Sequence, residues 1–126
     1  MVIDDEADSR DLIKKLLEFA GATVYLADSA KEGICLFLGQ AVEVLICDIG
    51  MPETDGYSLM RSIRMLSDDK KSEIPAIALT AYARLEDRRA AIRAGFQNHL
   101  AKPVEPAELL EIVHSLASRR SRPLSS

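Results

Sequence analysis

Val44-Leu45-Ile46-Cys47-Asp48 is the stretch on which the fold turns. Four apolar residues run without alternation and stop on a carboxylate. Such a run suits a strand buried on both faces, as in a parallel sheet. The segment before it reads as a helix. Ser29 followed by Glu32 forms a capping box, and Ile34, Phe37 and Leu38 are expected to face inward. A second helix follows the turn Met51-Pro52-Glu53-Thr54-Asp55-Gly56 and carries Leu59, Met60, Ile63 and Leu66.

The same alternation continues in both directions. Upstream, Met1-Val2-Ile3 is apolar and stops at Asp4. A helix with Leu12, Ile13, Leu16, Leu17 and Ala20 on one face then ends at Gly21, and Ala22–Ala27 reads as a short strand. Downstream, residues 67–73 are a polar loop and Ile74–Leu79 a strand ending at Thr80. A helix over about 84–94 closes at Gly95, and Phe96–Ala101 is the fifth strand, ending at Lys102-Pro103. Pro106 suits the first turn of a last helix that buries Leu109, Leu110, Val113 and Leu116. Residues 118–126 are expected to be a polar, frayed tail after a single domain over 1–117.

Five strands alternating with five helices predict an α/β fold, a doubly wound parallel sheet covered on both faces. The expected strand order is 2-1-3-4-5, the flavodoxin-like arrangement common at this size. The first strand has three residues before Asp4, where a central strand runs to about five or six. The chain is therefore expected to begin inside that strand, either cut from a longer polypeptide or lacking ordered residues.

The 126 residues suit one domain, and 48% apolar with 29% charged residues describe a solvated protein with one proper core. No apolar run approaches the roughly 20 residues of a membrane helix. Cys35 and Cys47 read as small buried hydrophobes, and a reducing cytoplasm is the expected setting. The formal charge is −4; Arg119, Arg120 and Arg122 lie in an acid-free end, so the rest of the chain carries −7. An acidic body argues against direct nucleic-acid binding.

All strand C-termini of a parallel sheet lie on one edge, where ligands bind. The residues just past the strands are Asp4, Asp5 and Glu6; Asp48; Thr80 and Ala81; and Lys102. Carboxylates gathered this way repel one another, by about 4 kcal/mol for two charges at 4 Å and an effective dielectric of 20. A hard divalent cation with oxygen ligands is the natural compensation, and Mg2+ is the abundant one. A carboxylate beside such a cation, an ammonium and a hydroxyl is equipped to attack a phosphoryl group.

Asp4-Asp5-Glu6, Asp48 with Met51-Pro52 and Asp55-Gly56, Thr80-Ala81 and Lys102-Pro103 together resemble the signature of response-regulator receiver domains. The resemblance spans about residues 1–117. It implies a phosphoacceptor rather than an enzyme, one that assists its own phosphorylation and dephosphorylation. Asp48 would take phosphate from a histidine of a kinase or a histidine phosphotransfer domain. Asp4, Asp5, Asp48 and the Gly50 carbonyl would hold Mg2+, with Asp5 the more direct ligand. Thr80, Ala81 and Lys102 would bind the phosphoryl oxygens, and the Lys102-Pro103 bond would be cis. The face formed by the fourth helix, fifth strand and last helix would switch and could carry a homodimer.

Residues 95–104 are most similar to receivers of hybrid sensor histidine kinases, which would make the parent protein such a kinase; single-domain receivers carry similar sequences, so a free-standing receiver is the alternative. His99 departs from the family, which usually has Tyr or Phe three residues before the lysine. That leaves His99 either as a switch residue or as an ordinary strand-end residue. Two other classes compete with this reading. A pseudo-receiver would lack an acidic or lysine position, and none is missing. A flavodoxin-like electron carrier would need a hydroxyl- and Gly-rich phosphate loop where this chain has three acids.

Overall fold

The structure is a computed structural model in which residues 1–51, 56–81 and 84–121 are described, residues 119–121 by their backbone alone. Pro52, Glu53, Thr54 and Asp55 of the expected turn, and the tail from Arg122 onward, lie outside the described residues. Among the described residues five strands and six helices follow one another, alternating except where α3 and α4 are consecutive: β1 Val2–Ile3, α1 Ala7–Phe19, β2 Leu26–Ala27, α2 Ala30–Gly39, β3 Leu45–Asp48, α3 Gly56–Arg64, α4 Asp69–Ser72, β4 Ala76–Thr80, α5 Leu85–Ala94, β5 Asn98–Ala101 and α6 Pro106–Ser121. The sheet is parallel throughout, in the order β2-β1-β3-β4-β5.

Successive strand residues feed opposite layers, which is why β3 shows no polar alternation. Ile3, Leu45, Cys47, Ala76 and Ala78 pack under α2, α3 and α5, against Phe37, Met60, Ile63 and Ala91. Val2, Ile46, Ile77, Leu79 and Leu100 pack under α1 and α6, against Ile13, Leu17, Leu109 and Leu116. Each fully buried Val, Leu, Ile, Phe or Met side chain among these contributes about 1.5–3 kcal/mol by leaving water.

Several local expectations are corrected. Residues 67–73 are not simply a loop: they contain α4, opened by Asp68, whose side chain accepts a hydrogen bond from the Lys70 N–H at 3.0 Å. Lys71 of α4 then donates to the carbonyls of Phe37 and Gln40 at 2.8 and 3.0 Å, satisfying the end of α2. The extra helix makes the expected fourth and last helices α5 and α6. Cys35 is exposed rather than buried, while Cys47 is buried as expected. Leu38 and Leu12 are also exposed, because they fall on the rims of the apolar stripes of α2 and α1. β2 is shorter than the expected Ala22–Ala27, and α6 runs to Ser121, past the start of the expected tail.

Two glycines hold the outline. A Cβ on Gly56 would stand 2.6 Å from the Asp48 carbonyl oxygen, so α3 can start against the end of β3 only without a side chain there. Gly95 ends α5 with φ 114°, a left-handed conformation that favours glycine. No helix among the described residues is long and apolar enough to cross a membrane.

Candidate functional site

The C-terminal ends of β1, β3, β4 and β5 bring four distant parts of the chain together. Asp4 follows β1 and is fully buried; Asp48 ends β3 and Thr80 ends β4, both buried. Lys102 follows β5, its N–H donating to the Thr80 carbonyl at 2.8 Å, and the Lys102-Pro103 bond is cis, as expected. Asp5 and Glu6 are exposed at the mouth of the crevice.

The Lys102 ammonium sits among three carboxylates. It donates to Glu6 Oε1 at 2.7 Å, to Asp48 Oδ2 at 3.2 Å and to Asp4 Oδ1 at 3.2 Å. Asp4 Oδ2 lies 3.0 Å from the same nitrogen, yet this buried oxygen accepts no hydrogen bond from the described residues. The other oxygens are held by the backbone. The Gly50 N–H donates to Asp48 Oδ1 at 2.9 Å, and the Glu6 N–H donates to Asp4 Oδ1 at 2.9 Å. Arg10 anchors the turn through the Asp4 carbonyl at 2.8 Å.

The electrostatics follow from this crowding. Burial pushes the Asp4 carboxyl above its ordinary range, and Asp48 adds to the rise against the hydrogen bonds from Glu6 and Lys102. Asp5 is also raised, by desolvation first and then by a shared hydrogen bond with Asp48 and its charge. Burial alone would pull Lys102 down, but its bonds to Glu6 and Asp4 and the charge of Asp48 outweigh it and hold the ammonium above its ordinary value.

This donor set fits a hard divalent cation. One carboxylate oxygen from each of Asp4, Asp5, Glu6 and Asp48 lies within 4.8 Å of the other three. All are hard oxygen ligands, and the orphaned Asp4 Oδ2 is a buried acceptor that a cation would satisfy.

His99 does not join the cluster. It pairs with Ala78 across β4 and β5, so it stands on the sheet face covered by α5. Burial lowers its pKa, as does the charge of Arg88 on α5, while Glu108 on α6 acts in the opposite sense. Glu6 is the residue for which the sequence had suggested no role beyond its charge. A contact 96 residues away along the chain leaves no local signal. A cavity of about 530 Å³ lined by Leu17, Val24, Val42 and Val113 opens elsewhere and includes none of these site residues.

The sequence matches the response regulator receiver domain family over residues 1–114. The chain belongs to that family. It is 48% identical over 113 residues to an uncharacterized 14.6 kDa protein from the sodA1 3′ region of Leptolyngbya boryana, covering 90% of this chain and 85% of that protein. It is 31% identical over 122 residues to response regulator SaeR of Staphylococcus aureus, covering 97% of this chain and 51% of SaeR. The chain thus spans about half the length of that longer relative. Among solved structures, a response regulator receiver domain protein from Clostridium thermocellum superposes with a TM-score of 0.83 at 30% identity, over 94% of this chain and 93% of that one. Membership of this family implies a histidine kinase or phosphotransfer domain as the class of partner.

Proposed function

We propose that Asp48 is the phosphoacceptor of this receiver. The observation that carries the reading is the Lys102 ammonium at 3.2 Å from a buried Asp48 carboxylate, inside a carboxylate cluster with one unsatisfied oxygen. One Asp48 oxygen attacks the phosphorus of a phosphohistidine. The O–P bond forms as the P–N bond breaks, and the imidazole leaves. The Gly50 N–H and Lys102 hold the two Asp48 oxygens in place for this attack.

Asp4, Asp5, Asp48 and the Gly50 carbonyl would hold Mg2+, which when bound supplies charge neutralisation around the phosphoryl oxygens. Lys102, with Thr80 and Ala81 at the end of β4, contacts those oxygens. The domain, expected over 1–117 and continued by α6 to Ser121, acts in the cytoplasm. Incubation with a small phosphodonor and Mg2+ should give an acyl-phosphate adduct that disappears in Asp48→Asn and with chelator. An adduct that persists in Asp48→Asn overturns the assignment.

The output face is α5–β5–α6. His99 faces α5 there, and Leu85 and Ile92 expose apolar surface on α5, 60% and 64% accessible, which supports a homodimer contact through this face. NMR titration of His99 with and without a beryllofluoride phosphate mimic tests the coupling; identical titration midpoints in both states overturn it. The likeness of residues 95–104 to hybrid-kinase receivers supports a place in a phosphorelay. Transfer of phosphate from Asp48 to a histidine phosphotransfer domain tests that place, and loss to water alone overturns it.

A further inference from the structure

Glu6 occupies the N-cap of α1 but makes no side-chain capping bond. Glu is not among the residues that cap well; Ser, Thr, Asp and Asn are. Its carboxylate instead reaches Lys102, in the shortest of the three ion pairs at that ammonium, 2.7 Å against 3.0 and 3.2 Å. The Glu6 side chain is 62% accessible, and that of Lys102 is 11% accessible. A pair with one so exposed partner contributes little to stability. What the contact provides is direction.

An ammonium has three donors. Two of the Lys102 donors go to Asp4 and Asp48, the groups that the phosphoryl chemistry engages. The third goes to Glu6, on the solvent side. We propose that Glu6 is a positioning residue: it fixes the Lys102 ammonium so that its remaining two donors face Asp48 and the phosphoryl group placed there. This rests on the phosphoacceptor reading above. The Glu6 carboxylate lies within the carboxylate cluster, but its bond to Lys102 assigns it to the ammonium.

The test uses the full chain with Glu6→Ala, Glu6→Gln and Glu6→Ser, phosphorylated by phosphoramidate at Mg2+ concentrations saturating for each variant. Glu6→Ala and Glu6→Gln lose the same charge, so a difference between them reads the hydrogen bond alone. Glu6→Ala and Glu6→Ser should slow phosphorylation about tenfold, the effect of about 1.4 kcal/mol on a barrier. Glu6→Gln, which keeps an acceptor at the same reach, should stay within about threefold of the wild type by the same arithmetic. Glu6→Ser separates capping from positioning, since it improves the cap and should not restore the rate. The Lys102 ammonium signal in ¹⁵N NMR, recorded without phosphodonor, should be protected from water exchange in the wild type and Glu6→Gln and lost in Glu6→Ala.

A wild-type rate in Glu6→Ala, a Glu6→Gln as slow as Glu6→Ala, or an ammonium signal indifferent to Glu6 overturns the proposal. If Asp48→Asn is labelled as fast as the wild type, or neither is labelled, the phosphoacceptor reading fails instead. The NMR arm still decides whether Glu6 holds the ammonium.

Discussion

At Asp4 and Asp5 the fold works against the charged form. Both carboxyls are raised from an ordinary value of 3.8, by burial first and with Asp48 adding to the rise. A raised acid holds a proton in the folded chain that the unfolded chain has already released. Stability from these two groups is therefore present at low pH and lost as pH rises from about 4 through their folded values. Lys102 acts in another window: its raised pKa contributes stability below about 10.4, lost as pH climbs through the folded value. Asp48→Asn removes one of the repelling charges. In cation-free buffer the variant should melt higher than the wild type near neutral pH, and the gap should shrink as pH falls toward 4. Thermal denaturation across that range reads it. A gap independent of pH means that repulsion by Asp48 is not what raises its neighbours.

Among the elements, α3 carries the contact that ties the other end of the molecule. Arg64, its last residue, donates to the Gly95 carbonyl at 2.6 and 3.1 Å, to the Ser72 carbonyl at 2.7 Å and to Gln97 Oε1 at 3.2 Å. Gln97 Oε1 in turn accepts from the Ala76 N–H at 2.7 Å. One guanidinium thus gathers the ends of α4 and α5 at the entrance to β4. Arg64→Ala should cost about 2 kcal/mol, the scale of a hydrogen bond to a charged group. Arg64→Lys should restore only part of that, since a single ammonium cannot reproduce the fork. Urea denaturation measures both; a Lys variant as stable as the wild type would show that charge alone suffices. Nothing in the helical pattern of residues 59–66 marks Arg64, because its partners belong to two other segments, the end of α4 and the connection from α5 to β5.

For the molecule as a whole, the proposed cation site would link binding to folding. The carboxylates converge only when the sheet is assembled, so a cation held there binds the folded chain and not the unfolded one. At a free Mg2+ concentration of one hundred dissociation constants the fold should gain about 2.7 kcal/mol. The urea midpoint should rise while the slope stays constant, because the surface exposed on unfolding does not change. Asp5→Ala should lose most of this gain. A midpoint that ignores both Mg2+ and chelator would show that the cluster holds no cation.

Apolar runs such as Leu45–Cys47, helical stripes such as Ile13 with Leu17, and stops such as Gly21 and Gly95 are local chemistry, so the alternation of strands and helices was legible in the sequence. With right-handed crossovers it also limited the sheet to few orders, and the one expected is the one observed. Asp4, Asp5, Asp48 and Lys102 could be named because strand ends share an edge in any parallel sheet. Exposure at the rim of a helix was not legible: Cys35 and Leu38 are set by how α2 rolls against its neighbours. Nor was α4, a four-residue helix too short to show a period. Tertiary structure alone decided that Glu6 reaches Lys102, that Asp4 Oδ2 is left without a hydrogen bond and that His99 turns toward α5. Those facts depend on distances between segments far apart in the chain, and such distances exist only after the core has packed.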